Sequence, residues 1–234
     1  MEAAPEAAPE QLTLELPCRP ETGLADFLRA PCNAAALDAV LAWPSWPGPV
    51  LVLSGPPASG KTHLARIWAE RARAVAFRGG ELRDVHEAVA GTGTAAACLV
   101  DDADAVPDEA LLFHLHNAVV GRGGSLLLTS ALPPAAWPLR LADLRSRLRA
   151  AWSVRIEPPD DTLLAALLVK QFADRQLRVE PAVIGYLVPR LERSFAAVRA
   201  VVAALDRAAL RAQRPVGLAL ARSVLEQHEE GEGT

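Results

Sequence analysis

GPPASGKT, residues 55–62, has the spacing G-x-x-x-x-G-K-T, with the apolar run VLVLS before it and the helical pattern HLARIWAERA after it. A loop of this kind aims backbone N–H groups at the start of a helix into one concavity, where phosphate oxygens are held. Pro56 and Pro57 carry no N–H, so the donors are expected from Ala58, Ser59, Gly60, Lys61 and Thr62, with Gly55 opening the motif. Lys61 has the length and charge to reach β- and γ-phosphates, and the Thr62 hydroxyl is a ligand for Mg²⁺. The chemistry implied is binding of ATP or ADP.

Such a loop needs an acid at the end of a neighbouring strand to hold the metal. ACLVDDAD supplies two. Cys98, Leu99 and Val100 read as buried strand, Asp101 is expected to emerge beside Thr62, and Asp102 is placed to orient an attacking water.

The elements that must position these groups follow from hydrophobic periodicity. Strands are expected at 50–54, 74–77, 97–101, 125–130 and 152–156. A helix is expected from about 33 to 42, and HLARIWAERA, ELRDVHEAV, EALLFHLHNAVV and LADLRSRLRA are helical in pattern. Alternation of this length implies an α/β fold, a parallel sheet covered on both faces by helices. After EPPDD the alternation stops, and 158–228 read as helices only, with Asp160, Asp161 and Ser194 as N-caps. The chain therefore divides into a leader (1–10), a short peptide (11–17), an α/β nucleotide-binding domain (25–157), a small all-α domain (158–228) and a charged tail (229–234).

With 234 residues, 51% of them apolar, a sizeable core is available. The net charge of −4 gives no general attraction to nucleic acid. No apolar run approaches the roughly 18 residues of a membrane helix, and the acidic start is wrong for a secretion signal. A cytoplasmic location without membrane attachment is expected. Cys18, Cys32 and Cys98 form no CxxC pair, so neither a disulfide framework nor a zinc site is expected. His114 and His116 are two apart on a helix and face different ways, and the WPSW segment reads as packing.

Near the front, QLTLEL alternates Leu12, Leu14 and Leu16 with polar residues. Alternation fits a half-buried strand, and it fits equally an extended peptide docking into a groove on another protein.

GPPASGKTHL, LVDDAD, LFHLHNAVV, LLLTSALPP, LRSRLRAAWSVRIEPPDD and FAAVRAVVAALDRA, in this order, resemble the AAA+ core of the replication initiator DnaA over roughly residues 25–228. The initiator continues into a helix-turn-helix domain, and nothing of that size follows residue 228 here. The resemblance is therefore to the Hda/HdaA type of DnaA-related regulator. It implies a P-loop AAA+ sheet followed by a helical lid, with bound ADP or ATP and Mg²⁺. The partners it implies are DnaA and the DNA polymerase III β sliding clamp; self-association stays open, and direct sequence-specific DNA binding is not expected. By the same resemblance Gln11, Leu12, Leu14 and Leu16 are the clamp ligand, Arg147 is an arginine finger acting in trans, Arg199 is the sensor II arginine, and residues 26–33 line the adenine pocket. Arg199 borders an apolar stripe of Phe195, Val198, Val202 and Leu205, where a charge calls for an anionic partner.

One position departs from the family pattern. An acidic sensor I residue usually follows LLLTS, and Ala131 stands there, leaving Thr129 and Ser130 with hydroxyls only. Weak intrinsic hydrolysis is expected, the chain acting as activator of DnaA's own ATPase. The competing enzyme reading is an autonomous AAA+ ATPase such as a helicase loader.

Overall fold

The computed structural model describes residues 23–84, 90 and 97–232. Residues 11–17 lie outside them, as do Cys18 and residues 85–89 of the expected helix 81–89, whose first residue ends a 3-10 turn over 79–81.

Five parallel strands form one sheet in the order β2-β3-β4-β1-β5: β1 (Val50–Ser54), β2 (Val75–Arg78), β3 (Ala97–Asp101), β4 (Ser125–Ser130) and β5 (Trp152–Arg155). Burial follows position in the sheet. Every residue of the interior strand β1 is buried, whereas β2 and β5, the two edges, alternate between half-buried and exposed. Continuous apolar runs such as VLVLS thus belong to strands covered on both faces.

Successive side chains leave a strand on opposite sides, and β1 shows the split directly. Leu51 and Leu53 enter one core with Leu64 and Trp68 of α2 (Lys61–Ala72) and Ala36 and Val40 of α1 (Pro31–Leu41). Val50 and Val52 enter the other, with Leu112 and Leu115 of α3 (Glu109–Gly121) and Leu144 and Leu148 of α4 (Ala142–Ala150). The WPSW segment closes the first core: Trp46 stacks on Trp68 at 5.3 Å, Trp43 meets it edge-on, and the Trp46 indole N–H donates to the Ala39 carbonyl.

A third core belongs to four helices: α5 (Asp161–Asp174), α6 (Pro181–Leu187), α7 (Phe195–Ala212) and α8 (Leu218–Glu232). Asp160 caps α5 by accepting from Leu163 N, and Ser194 caps α7 by accepting from Ala197 N. Asp161 is already inside α5, where it pairs with Arg193. Leu163 and Phe195 turn away from their own helical core and join the sheet's first core, joining the two parts of the chain.

The turn after β2 brings Gly79 against the backbone of Asp102, where a Cβ would collide with the Asp102 carbonyl. Gly79→Ala is expected to destabilise the protein by about 1–3 kcal/mol, as overpacking does, measured as a lowered urea midpoint.

Candidate nucleotide site and arginine surface

Strand order decides what meets at the carboxyl ends of the sheet. β1 and β3 carry the two halves of the phosphate chemistry but are not neighbours, since β4 lies between them. The register pairs Leu53 with Thr129 and Val100 with Leu128, so Asp101 arrives beside Thr129. The Asp101 carboxylate accepts from Thr129 Oγ1 at 2.6 Å and from Thr62 Oγ1 at 2.9 and 3.1 Å. Thr129 Oγ1 also accepts from the Asp102 N–H at 2.8 Å. One carboxylate therefore joins the loop's helix to two strands. The expected pairing of Asp101 with Thr62 is present, and Thr129 is the partner that sequence reasoning missed. Its signal was the strand order, which periodicity does not reveal.

The loop has the form of an anion cradle. A Cβ on Gly55 would lie 2.9 Å from the Ile156 carbonyl and 3.2 Å from Ser59 Oγ, so only glycine fits. Gly60 caps α2 with φ +91, and the exposed Ala58 has φ +60. The first amides of α2 have no intrahelical acceptor, as at any helix start. Ser59 is buried, and its hydroxyl has no hydrogen-bond partner among the described residues. Lys61 is buried too, and its ammonium donates to the Gly55 and Pro56 carbonyls at 2.8 and 2.9 Å. Burial lowers the Lys61 pKa from its ordinary value, while Asp102, Asp104 and Asp101 act in the opposite sense. An orphaned hydroxyl, a buried cation and a helix start around one glycine-tight loop fit a phosphate group.

Asp102 takes a left-handed conformation (φ +54), with its carboxylate 3.9 Å from Arg78 Nε. Neither hydroxyl at the end of β4 is free: Thr129 serves Asp101, and Ser130 donates to the Leu132 carbonyl. At Ala131 the backbone N–H donates to Asp104 at 2.9 Å, so a carboxylate reaches this position from another loop.

The segment at 26–33 sits between the loop and α5. Phe27 packs against Gly60 and His63, and Asp26 pairs with Lys170 at 3.5 Å. Asp26 and Leu28 border a cavity of about 500 Å³ against α5. Asn33 is committed to structure, accepting from Ala30 N and donating to the Leu28 carbonyl.

The two arginines differ from one another. Arg147 is exposed on α4, with its guanidinium carbon 5.4 Å from the Phe113 ring centroid, within range of a cation–π contact. It has no carboxylate partner among the described residues, whereas Arg145 turns back to the Leu139 carbonyl. Arg199 is exposed on α7 and forms no ion pair among the described residues. The anion that its apolar border calls for is therefore not supplied by the described residues. Gln11, Leu12, Leu14 and Leu16, expected as a clamp ligand, lie outside the described residues.

His116, on α3, is buried, and its Nδ1 has no hydrogen-bond partner among the described residues. His114 is exposed, so the two histidines do face different ways, and no metal-binding cluster exists among the described residues. Burial pushes the Cys98 thiol up to about 12, which makes it an inert core group. Among the described residues no helix is long and apolar enough to cross a membrane.

A parallel 2-3-4-1-5 sheet, a glycine-tight loop leading into α2, and a helical domain after β5 define the AAA+ class. The comparisons agree. Residues 160–225 match the family model described as the Hda lid domain. The DnaA initiator of Cutibacterium acnes is 27% identical over 113 residues, covering 48% of this chain but only 23% of the initiator's length. In structure, domain III of Thermotoga maritima DnaA superimposes with a TM-score of 0.75 at 18% identity, covering 91% of this chain and 98% of that one. Aquifex aeolicus DnaA, bound to AMPPCP, gives 0.69 at 18% identity over 92% of this chain and 70% of that one. The Thermotoga maritima RuvB motor gives 0.70 at 16% identity over 90% and 73%. The chain thus has the fold of the DnaA AAA+ domains it superimposes on, and its C-terminal helices are similar to the Hda lid domain.

Two outcomes are expected. Thr129→Val keeps the shape but removes one of the two hydroxyls bonded to Asp101 and strands the Asp102 N–H, costing about 1–3 kcal/mol in urea unfolding. For His116, burial and, secondarily, Arg147 hold the folded pKa below 6.5, outweighing a raising hydrogen bond from Asn117. Unfolding then takes up a proton below that value, so this stability is complete above about pH 6.5 and falls as pH drops. The urea midpoint should decline between about pH 7 and 5.5, less steeply in His116→Leu.

Proposed function

We propose that this chain is a clamp-dependent inactivator of the initiator DnaA, delivering Arg147 to DnaA-bound ATP. The observation that carries this is the state of Arg147. It is exposed, is steadied by the face of Phe113, and has no carboxylate partner among the described residues. A guanidinium so held is available to an anion supplied by another molecule. Beside a transferring phosphoryl group it would stabilise the developing charge, an effect typically worth about 10³–10⁵ in rate.

The cradle would hold a nucleotide of the chain's own. Gly55, Ala58, Ser59, Gly60 and Lys61 would face its phosphates, and residues 26–33 would border its base. Thr62 and Asp101 would hold Mg²⁺. A bound magnesium nucleotide supplies the multiple negative charge that this buried cation and helix start are suited to neutralise. The DnaA structural relative bound to AMPPCP supports nucleotide binding here. Arg199, exposed on α7 and without an ion pair among the described residues, would approach the same ligand. Asp102 would orient water, but with Ala131 in the sensor position this chain's own turnover is slow. We assign Gln11, Leu12, Leu14 and Leu16 to the sliding clamp, because alternate apolar side chains on an extended peptide suit a hydrophobic groove. The result is a cytoplasmic regulator that limits initiation to one round.

The test measures hydrolysis of DnaA-bound ATP with clamp and DNA present. Arg147→Ala should remove the stimulation while clamp capture persists, and Gln11→Ala with Leu14→Ala should abolish clamp capture. Stimulation unaltered by Arg147→Ala would refute the mechanism. Rapid ATP turnover by the chain alone would favour an autonomous AAA+ motor instead.

A further inference from the structure

The exposed arginine sits near the end of a nine-residue helix whose start has no side-chain cap of its own. On its inner face α4 is held by Leu144 and Leu148, both fully buried. Two apolar side chains fix a helix's depth but leave it freedom to rotate and slide, because hydrophobic contact is non-directional. The direction in which Arg147 leaves the surface depends on that rotation.

A directional restraint does exist, and it comes from α3. The Glu109 carboxylate accepts from the Arg140 N–H at 2.9 Å and from the Leu141 N–H at 3.0 Å. These are the two amides immediately before α4, so both carboxylate oxygens are committed to the entrance of that helix. Charge-assisted bonds of this type are about twice as strong as neutral ones, and a carboxylate at a helix start also meets the favourable end of its dipole. Residues four apart share one face of a helix, and four residues beyond Glu109 stands Phe113, under the Arg147 guanidinium. One stripe of α3 therefore grips the finger helix twice, by its backbone at the entrance and by the arginine itself near the exit. The first turn of α3 is in turn held by Asp108, which accepts from Ala110 N at 2.9 Å.

We propose that Glu109 is a positioning residue for Arg147, setting the rotation of α4 so that the guanidinium reaches the neighbour's phosphate. It touches neither nucleotide nor reacting atoms. This inference rests on the reading of Arg147 as a finger in trans. Displacement of a catalytic group by about 1 Å costs up to about 10²-fold in rate.

Glu109→Ala is therefore expected to lower the maximal stimulation of DnaA ATP hydrolysis at least about 10-fold. The concentration of this chain giving half-maximal effect and the capture of clamp should stay as in the wild type. Glu109→Gln keeps one acceptor and should fall between the two. Hydrogen exchange should accelerate at residues 140–141 in Glu109→Ala and stay unchanged in the first turns of α2. In an Arg147→Ala background Glu109→Ala should add no further loss. Full stimulation by Glu109→Ala, while Arg147→Ala abolishes it, overturns this inference and leaves the finger intact. Loss that follows thermal stability across the two Glu109 variants overturns it equally. Full stimulation by Arg147→Ala removes the finger itself, and with it the ground for this role.

Discussion

A single carboxylate organises the business end of the sheet. Asp101 emerges from β3, yet the groups it must serve belong to β4 and to the helix after β1. Accepting from both threonine hydroxyls, it sets the P-loop helix at a defined height above the strands. Thr129 relays the same restraint to the Asp102 amide, which turns the chain left-handed into the next loop. Gly79 has to be small because that turn lies against it. The cradle's helix, Asp101 and the Asp102 backbone thus share one hydrogen-bonded cluster.

The arginine surface follows a different logic. Its parts come from α3 and α4, which lie over the second core, remote in sequence from the cradle. Phe113, buried His116 and exposed Arg147 form one patch, in which the neutral imidazole avoids placing a second cation near the guanidinium. A proton on His116 would oppose Arg147 directly, so the patch is electrostatically consistent only while that ring stays uncharged.

Much of this was legible in the sequence because periodicity and loop chemistry are local. VLVLS, ACLVD and SLLLTS form strands with the boundaries expected, and Asp160 and Ser194 are the caps expected. Asp101 met Thr62 because a fixed motif implies its acid. What escaped is non-local. The role of Thr129 depends on which strand lies between β1 and β3. Glu109 reads as an ordinary first-turn acid, and only the fold brings the entrance of α4 to it.

Leu163 and Phe195, each from a different lid helix, are inserted in the sheet's core, and buried Pro159 stands in the connection before them. Swinging the four-helix unit wide open would wet both side chains, at about 1.5–3 kcal/mol apiece. Any rearrangement that spares them must be a rocking about these two studs, which act as an axle. Small tilts there would shift α7 relative to the sheet, while the two halves of the molecule stay in greasy contact throughout.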